Sequence, residues 1–198
     1  MNRSITDEQA AVRGMKLAVK IAYFGIIVVS LALGLDARAQ ESADKWRFQK
    51  GGLSISVVAK DAEYDDRRSY QIVVEDEIRM LSRLEVNRDA VLTNAWQTDL
   101  DGDGAFEIVV TTGQVNGSNS GGVDIHEWNG NRFDSMRPKR STDAERVGYQ
   151  GYDQFELHEG TLIRSYPIFI THNGNWAPSG DTARYVFHFA DRAWVKEK

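Results

Sequence analysis

The sequence predicts an all-β protein, an antiparallel β-sandwich of about eight strands in one domain after an N-terminal signal peptide. Three observations favour this fold class. Apolar residues recur at every second position in most segments, which is typical of strands with one buried face. Glycine, asparagine and aspartate separate these segments at short intervals. Helical periodicity is almost absent, and only residues 75–84 fit a short, weak helix.

The alternating segments give the predicted strands in chain order. In the first of them, Leu53, Ile55 and Val57 alternate with serines. Turn signals such as Glu159-Gly160 join successive segments as hairpins, which favours antiparallel pairing. The predicted strands are residues 53–57, 70–74, 91–98, 108–112, 123–128, 154–158, 161–166, 184–189 and 193–196.

Residues 1–39 have the features of an export signal. Two lysines precede the apolar stretch 21–35, and Ala37-Arg38-Ala39 supplies a small-residue cleavage site. Met15 is an alternative start, because translation from Met1 places two acidic residues in the basic region. An uncleaved membrane anchor is the rival interpretation, because the apolar stretch is close to the shortest length that spans a bilayer. We expect a periplasmic or secreted protein.

Cleavage of that signal leaves an N-terminal linker, residues 40–50, and one β-domain, residues 51–198. The chain has a net charge of −5, and an acidic surface repels nucleic acid and anionic lipid. Cysteine is absent from the sequence, which excludes disulfides and a lipid-bearing cysteine. We therefore expect no nucleic-acid partner and no membrane association after cleavage. The sequence neither requires nor excludes a homodimer.

An acidic turn is the most specific local motif. From Asp99 the chain reads DLDGDGAFE and continues into a β-branched strand. Oxygen ligands at alternate positions of a tight loop are typical of Ca²⁺ sites. The twelfth position, where an EF-hand needs glutamate, is Val110, so an EF-hand is excluded. The predicted ligands are Asp99, Asp101, Asp103, the carbonyl of Ala105 and Glu107.

The acidic turn resembles the calcium loops of FG-GAP and VCBS repeats, which lie between two strands. An Asp/Gly-rich hairpin turn that binds no ion is the alternative. Three carboxylates within five residues, Asp99 to Asp103, repel one another unless a cation neutralises them. The sequence thus favours a structural calcium ion here.

A long polar loop follows the strand predicted at 108–112. Residues 113–122 carry no charge and exceed the two to five residues of an ordinary hairpin loop. Long connections in compact domains are usually functional or flexible. The loop is therefore either a binding element or a solvated connection.

Four short motifs between residues 87 and 189 occur in an order that resembles the periplasmic inhibitors of invertebrate-type (i-type) lysozyme, the PliI family. The first is the acidic turn with its strand and polar loop. The others are GYQGYDQF at 148–155, TLIRSYPI at 161–168 and the polar segment 175–180.

The resemblance implies an all-β protein that acts by binding rather than by catalysis. Family members insert a Ser-Gly-Ser-Tyr loop into the active-site cleft of an i-type lysozyme, where polar groups meet catalytic carboxyls. Residues 117–120 take those positions here, with Ser120 in place of the tyrosine. An aromatic anchor often dominates the binding energy of an interface, so we expect its absence to lower the affinity. The implied inhibitory loop consists of Asn116, Gly117, Ser118, Asn119, Ser120 and Gly121.

Two other functional classes remain open. A calcium-stabilised extracytoplasmic adhesion or glycan-binding module shares the export signal and the acidic turn. Trp176 lies in a polar segment and is the tryptophan we expect to be most exposed. Catalysis is disfavoured, because the four histidines have no zinc spacing and no serine lies in a Gly-x-Ser-x-Gly motif. We expect that the protein is not an enzyme.

Overall fold

The computed structural model describes residues 45–60, 68–88, 90–113, 119–142 and 146–197. These residues form strands and no helix, which confirms the all-β fold class. The strands are β1 (Lys45–Lys50), β2 (Leu53–Lys60), β3 (Arg68–Glu75), β4 (Met80–Arg88), β5 (Val91–Thr98), β6 (Glu107–Gly113), β7 (Gly121–Trp128), β8 (Phe133–Met136), β9 (Gln154–His158), β10 (Thr161–His172), β11 (Asn175–His188) and β12 (Ala193–Lys196).

The strands form three antiparallel sheets of four strands each. Strands β1 to β4 form the first sheet, β5 to β8 the second and β9 to β12 the third. Within each sheet, neighbouring strands are successive in the sequence, so every sheet is a meander of hairpins. Within the described part of the chain, no helix is long and apolar enough to cross a membrane. The predicted signal peptide, residues 1–39, lies outside the described residues.

The second sheet is buried on both faces. Ile108 and Val110 of β6 pack with apolar residues of the first sheet. Val109, which points to the opposite face, packs with residues of the third sheet, including Tyr185. This double coverage explains why β6 is a nearly continuous run of apolar and β-branched residues rather than an alternating one.

The structure corrects two local predictions. The weak helix at 75–84 is wrong: Asp76 Oδ1 accepts hydrogen bonds from the backbone of Ile78 and Arg79 at 2.8 Å, and this turn leads into β4. The predicted linker at 40–50 is wrong for residues 45–50, because these residues form β1, which pairs with β2 along its whole length. Strands β1, β4 and β8 add to the nine predicted segments, so the described residues form twelve strands instead of about eight.

Strand β6 connects the two regions that the sequence singles out. The acidic turn, residues 99–107, ends at its first residue, Glu107, and the polar loop begins at its last residue, Gly113. A seven-residue strand spans about 20 Å at the usual rise per residue. The two regions therefore lie at opposite ends of the second sheet.

Candidate functional site

The acidic turn is the hairpin connection between β5 and β6, whose last paired residues are Thr98 and Glu107. Gly102 and Gly104 have φ values of 76° and 92°, a conformation that glycine adopts readily. Their backbone N–H groups donate to the two carboxylate oxygens of Asp99, at 2.8 and 3.1 Å. The turn thus folds around the first of the predicted ligands.

Three of the predicted ligand side chains converge. Carboxylate oxygens of Asp99, Asp101 and Glu107 lie within 4.8 Å of one another, and this acidic cluster can hold a metal ion. Asp103 is not part of the cluster; its Oδ1 accepts a hydrogen bond from the backbone of Ala105 at 2.7 Å. Three of the four predicted side-chain ligands therefore lie close enough together to share one metal ion.

Glu107 is fully buried, and only one of its carboxylate oxygens is hydrogen-bonded. Oε2 accepts a bond from the Leu100 N–H at 2.6 Å, whereas Oε1 has no partner among the described residues. Burial raises the pKa of Glu107 to about 7; the Leu100 bond opposes this shift and the charges of Asp101 and Asp99 add to it. An unsatisfied buried oxygen costs about 1–3 kcal/mol, which a coordinated cation would remove.

A further carboxylate adjoins this cluster. Glu127 of β7 stands directly opposite Glu107 in the strand register, and like charges in such pairs destabilise a sheet. Burial, together with the charges of Asp101 and Asp103, raises the pKa of Glu127. Sequence reasoning missed this residue because only the β6–β7 pairing brings it to the acidic turn.

The polar loop connects β6 to β7. Asn119 and Ser120 precede β7, and Gly121 is the first residue of that strand rather than part of a free loop. Three further residues of the predicted inhibitory loop lie outside the described residues: Asn116, Gly117 and Ser118.

A buried ion pair holds the β7 end of this loop. Asp153 Oδ2 accepts a hydrogen bond from the Gly121 N–H at 2.7 Å, and its Oδ1 accepts one from Arg164 Nε at 2.7 Å. The Tyr149 hydroxyl also donates to Asp153. The Asp153 side chain is fully buried and that of Arg164 is 13% exposed. Since this charged group is paired and hydrogen-bonded, it fixes the position of Gly121.

Close packing explains two of the glycines near this ion pair, against side chains at Gly121 and against backbone at Gly151. The Tyr152 N–H donates to the carbonyl of Asn119 at 2.6 Å. A Cβ atom at Gly121 would lie 2.5 Å from the ring of Phe155. Gly151 has a φ of 87° and lies against the Asn119 backbone. There is therefore no space for a side chain at Gly121 or at Gly151.

The opposite face of β7 carries a buried polar network that the sequence did not predict. The Tyr70 hydroxyl donates to Asp124 Oδ2 at 3.0 Å and lies 2.6 Å from His126 Nε2. Arg88 bonds both oxygens of Asp124, and Arg137 bonds one of them. Burial lowers the pKa of His126 to about 4, although the charge of Asp124 opposes this. His126 is thus neutral at pH 7 and a weak base.

The tryptophans differ in exposure as the sequence predicts. Trp176, in the hairpin between β10 and β11, is 56% exposed, and Trp128 and Trp194 are buried. Trp46 and Trp96 pack against the two apolar clusters of the core. An exposed aromatic ring on a polar hairpin is compatible with contact to a partner.

In comparisons with known proteins, no family model, no curated protein and no solved structure matches the chain.

Proposed function

We propose that this protein is an extracytoplasmic binding protein that inhibits an i-type lysozyme through the loop at residues 116–121. One observation carries the proposal: segments that resemble the PliI family meet at the end of that loop. Asp153 of the 148–155 segment is hydrogen-bonded to Gly121 and to Arg164 of the 161–168 segment. These motifs therefore fix the β7 end of the loop, at Gly121.

Rigid anchoring favours binding through this loop. A loop with a fixed end loses less conformational entropy when it enters a cleft than a loop with two free ends. Here the anchor consists of a buried ion pair, a backbone hydrogen bond between Tyr152 and Asn119, and the close packing of Gly151. All three contacts act on the β7 end of the loop.

The chemistry of the loop suits the cleft of a glycosidase. Such enzymes work with two carboxyl groups, one of them a general acid. The hydroxyl and amide groups of Asn116, Ser118 and Asn119 are donors of the kind that a carboxyl group accepts. Without an aromatic anchor at Ser120, we expect affinity to come from hydrogen bonds more than from buried apolar area.

Calcium is the metal that fits the acidic cluster best. Its donors are carboxylate oxygens, the hard ligands that Ca²⁺ prefers, and Glu107 offers an unpaired buried oxygen. The ion would stabilise the start of β6 and take no part in contacts with a partner. An affinity of about 10⁻⁴–10⁻³ M, typical of extracellular modules, would suffice outside the cytoplasm.

A lysozyme assay with matched variants tests the proposal. We expect saturable inhibition of an i-type lysozyme and weak or no inhibition of c-type and g-type enzymes. The double variant Asn116→Ala/Ser118→Ala should weaken inhibition at least ten-fold. The control Ser54→Ala/Asn87→Ala, which alters polar side chains of the first sheet, should leave inhibition unchanged. Absence of inhibition of the i-type enzyme by the wild-type protein would refute the proposal.

A glycan-binding module is the second candidate, supported by the exposed ring of Trp176. Sugars commonly bind flat aromatic rings that are accessible to solvent. Binding to a glycan array that is lost in Trp176→Ala, together with failure to inhibit any lysozyme, would favour this alternative.

A further inference from the structure

A cavity of about 400 Å³ opens beside the Gly121 end of the second sheet. Its walls come from the start of β7, from the segment after β8 and from residues of β4, β6, β9, β10 and β12. Positive charge dominates the lining, although the chain as a whole has a net charge of −5. Six cationic side chains line the cavity: Arg88, Arg137, Lys139, Arg140, Arg146 and Arg164.

Two buried carboxylates offset only part of this charge. Asp124 pairs with Arg88 and Arg137 at 2.7 and 2.6 Å, and Asp153 pairs with Arg164 at 2.7 Å. The other three cations, Lys139, Arg140 and Arg146, form no ion pair with another described residue. Among the described residues that line the cavity, six cations thus face two carboxylates, and like charges gathered in one cavity repel one another unless an anion joins them.

Two of the paired arginines, Arg137 and Arg164, also retain donors. A guanidinium group carries five N–H donors. Arg137 uses Nε for Asp124, and Arg164 uses Nε for Asp153 and Nη1 for Ser141. The remaining N–H groups, in a fixed planar arrangement, match the oxygens of an oxyanion.

Aromatic residues complete the lining. Phe155 and Trp194 form part of the wall, and their rings pack together with a centroid distance of 6.1 Å. Binding sites for small molecules usually combine apolar and aromatic walls with a few convergent polar groups, at volumes of about 300–1,000 Å³. The cavity meets both conditions.

We propose that this cavity binds a small ligand that carries a phosphate or sulfate group. A phosphate or sulfate ester presents three terminal oxygens to the cations of β4, of the segment after β8 and of β10, whereas a carboxylate presents two. The aromatic wall would contact the organic part of the ligand, such as a sugar ring. This site is independent of lysozyme inhibition and does not rest on it.

Isothermal titration calorimetry of the purified protein tests the site. The probes are inorganic phosphate, a hexose 6-phosphate and a hexose 6-sulfate, with glucose and sodium chloride at matched ionic strength as references. We expect saturable binding of phosphate, and at least ten-fold tighter binding of one of the two sugar esters. The ester that binds more tightly identifies the preferred oxyanion. Glucose and chloride should give no saturable signal.

Two double variants distinguish anion binding in the cavity from nonspecific attraction to cations elsewhere on the surface. Arg140→Gln/Arg146→Gln removes two cations that line the cavity and should weaken binding at least ten-fold. Arg47→Gln/Arg83→Gln removes two exposed cations of the first sheet and should change it less than two-fold. Equal weakening in both variants, or no saturable binding of any of the three anions to the wild type at 10 mM, would overturn the proposal.

Discussion

Gly151 lies so close to Asn119 that a Cβ atom added to Gly151 would be 2.7 Å from the Asn119 carbonyl carbon. The next residue, Tyr152, donates its backbone N–H to the carbonyl of Asn119 at 2.6 Å. The end of the polar loop and the segment after Gly148 are therefore in direct backbone contact. Only a residue without a side chain at position 151 allows this close approach to Asn119.

Replacing Gly151 with alanine should destabilise the protein more than replacing another glycine of similar φ. Gly160 has a φ of 76°, and a Cβ atom added there would meet nothing within 4 Å, so Gly160→Ala adds only backbone strain, about 1 kcal/mol. Gly151→Ala adds the same strain and a clash with Asn119, for a total of about 2–4 kcal/mol. Urea unfolding measures both, and equal losses would contradict the close approach.

Removing the buried carboxylate of Asp153 should be far more costly than removing an exposed one. Asp153→Asn leaves Arg164 buried without its counter-charge, which costs about 3–5 kcal/mol. Glu156→Gln breaks the ion pair with Arg184, in which the two side chains are 56% and 43% exposed respectively, and should cost far less because water already solvates both charges.

Hydrogen exchange provides a local measurement for the same pair of variants. The Gly121 amide donates to Asp153 and should exchange faster in Asp153→Asn under native conditions. In Glu156→Gln its exchange should match that of the wild type. Unchanged exchange in Asp153→Asn would mean that the ion pair does not hold the loop.

The strands that alternate clearly were predictable from the sequence, whereas three of the edge strands, β1, β4 and β8, were not. Residues 53–57 and 70–74 have the period of two, and both segments are strands. Strand β4 carries several charged residues and buries only Val86 well, so its pattern is weak without its partner β3. Doubly covered strands such as β6 lose the alternation altogether, which hides the three-sheet arrangement.

The candidate site was predictable where its residues are neighbours in sequence. Asp99, Asp101 and Glu107 belong to one turn, and their spacing is enough to bring them together. The pairing of Asp153 with Arg164 depends on the register between β9 and β10, and the cationic cavity depends on three segments that only the folded chain joins. No local pattern encodes such contacts.

His126 should titrate far below an ordinary histidine. Burial lowers its pKa from 6.5 to about 4. The groups around the ring are Tyr70, Asp124 and Ser135, with Arg88 and Arg137 bound to Asp124. We expect NMR titration of the imidazole nitrogens to show a neutral ring down to about pH 5. A midpoint above 6 would contradict the buried network.

The sign of the pH effect on stability follows from this shift. Between pH 6.5 and 4 the unfolded chain binds a proton at His126 that the folded protein does not bind, so stability falls as the pH falls through that window. The loss is on the order of 3 kcal/mol when the pH reaches 4. In His126→Gln, urea unfolding should show a smaller change over the same window, and an unchanged slope would assign the effect to other groups.

Calcium should raise the melting temperature through the acidic cluster. At free Ca²⁺ ten times the Kd, binding to the folded state adds about 1.4 kcal/mol, which corresponds to roughly 3–5 °C for a domain of this size. EDTA should reverse the shift. Magnesium should have a smaller effect, because it holds its water ligands and requires octahedral geometry.

The variant Glu107→Gln distinguishes loss of calcium binding from loss of folding stability. The neutral amide is less costly to bury than the carboxylate, so in EDTA the variant should be at least as stable as the wild type. It should no longer respond to Ca²⁺, because it lacks the charged ligand that completes the cluster with Asp99 and Asp101. Asp191→Asn, a change at an exposed turn residue, should retain the full response. A wild-type protein without a melting shift at 10 mM Ca²⁺, or an equal shift in Glu107→Gln, would exclude calcium binding at this turn.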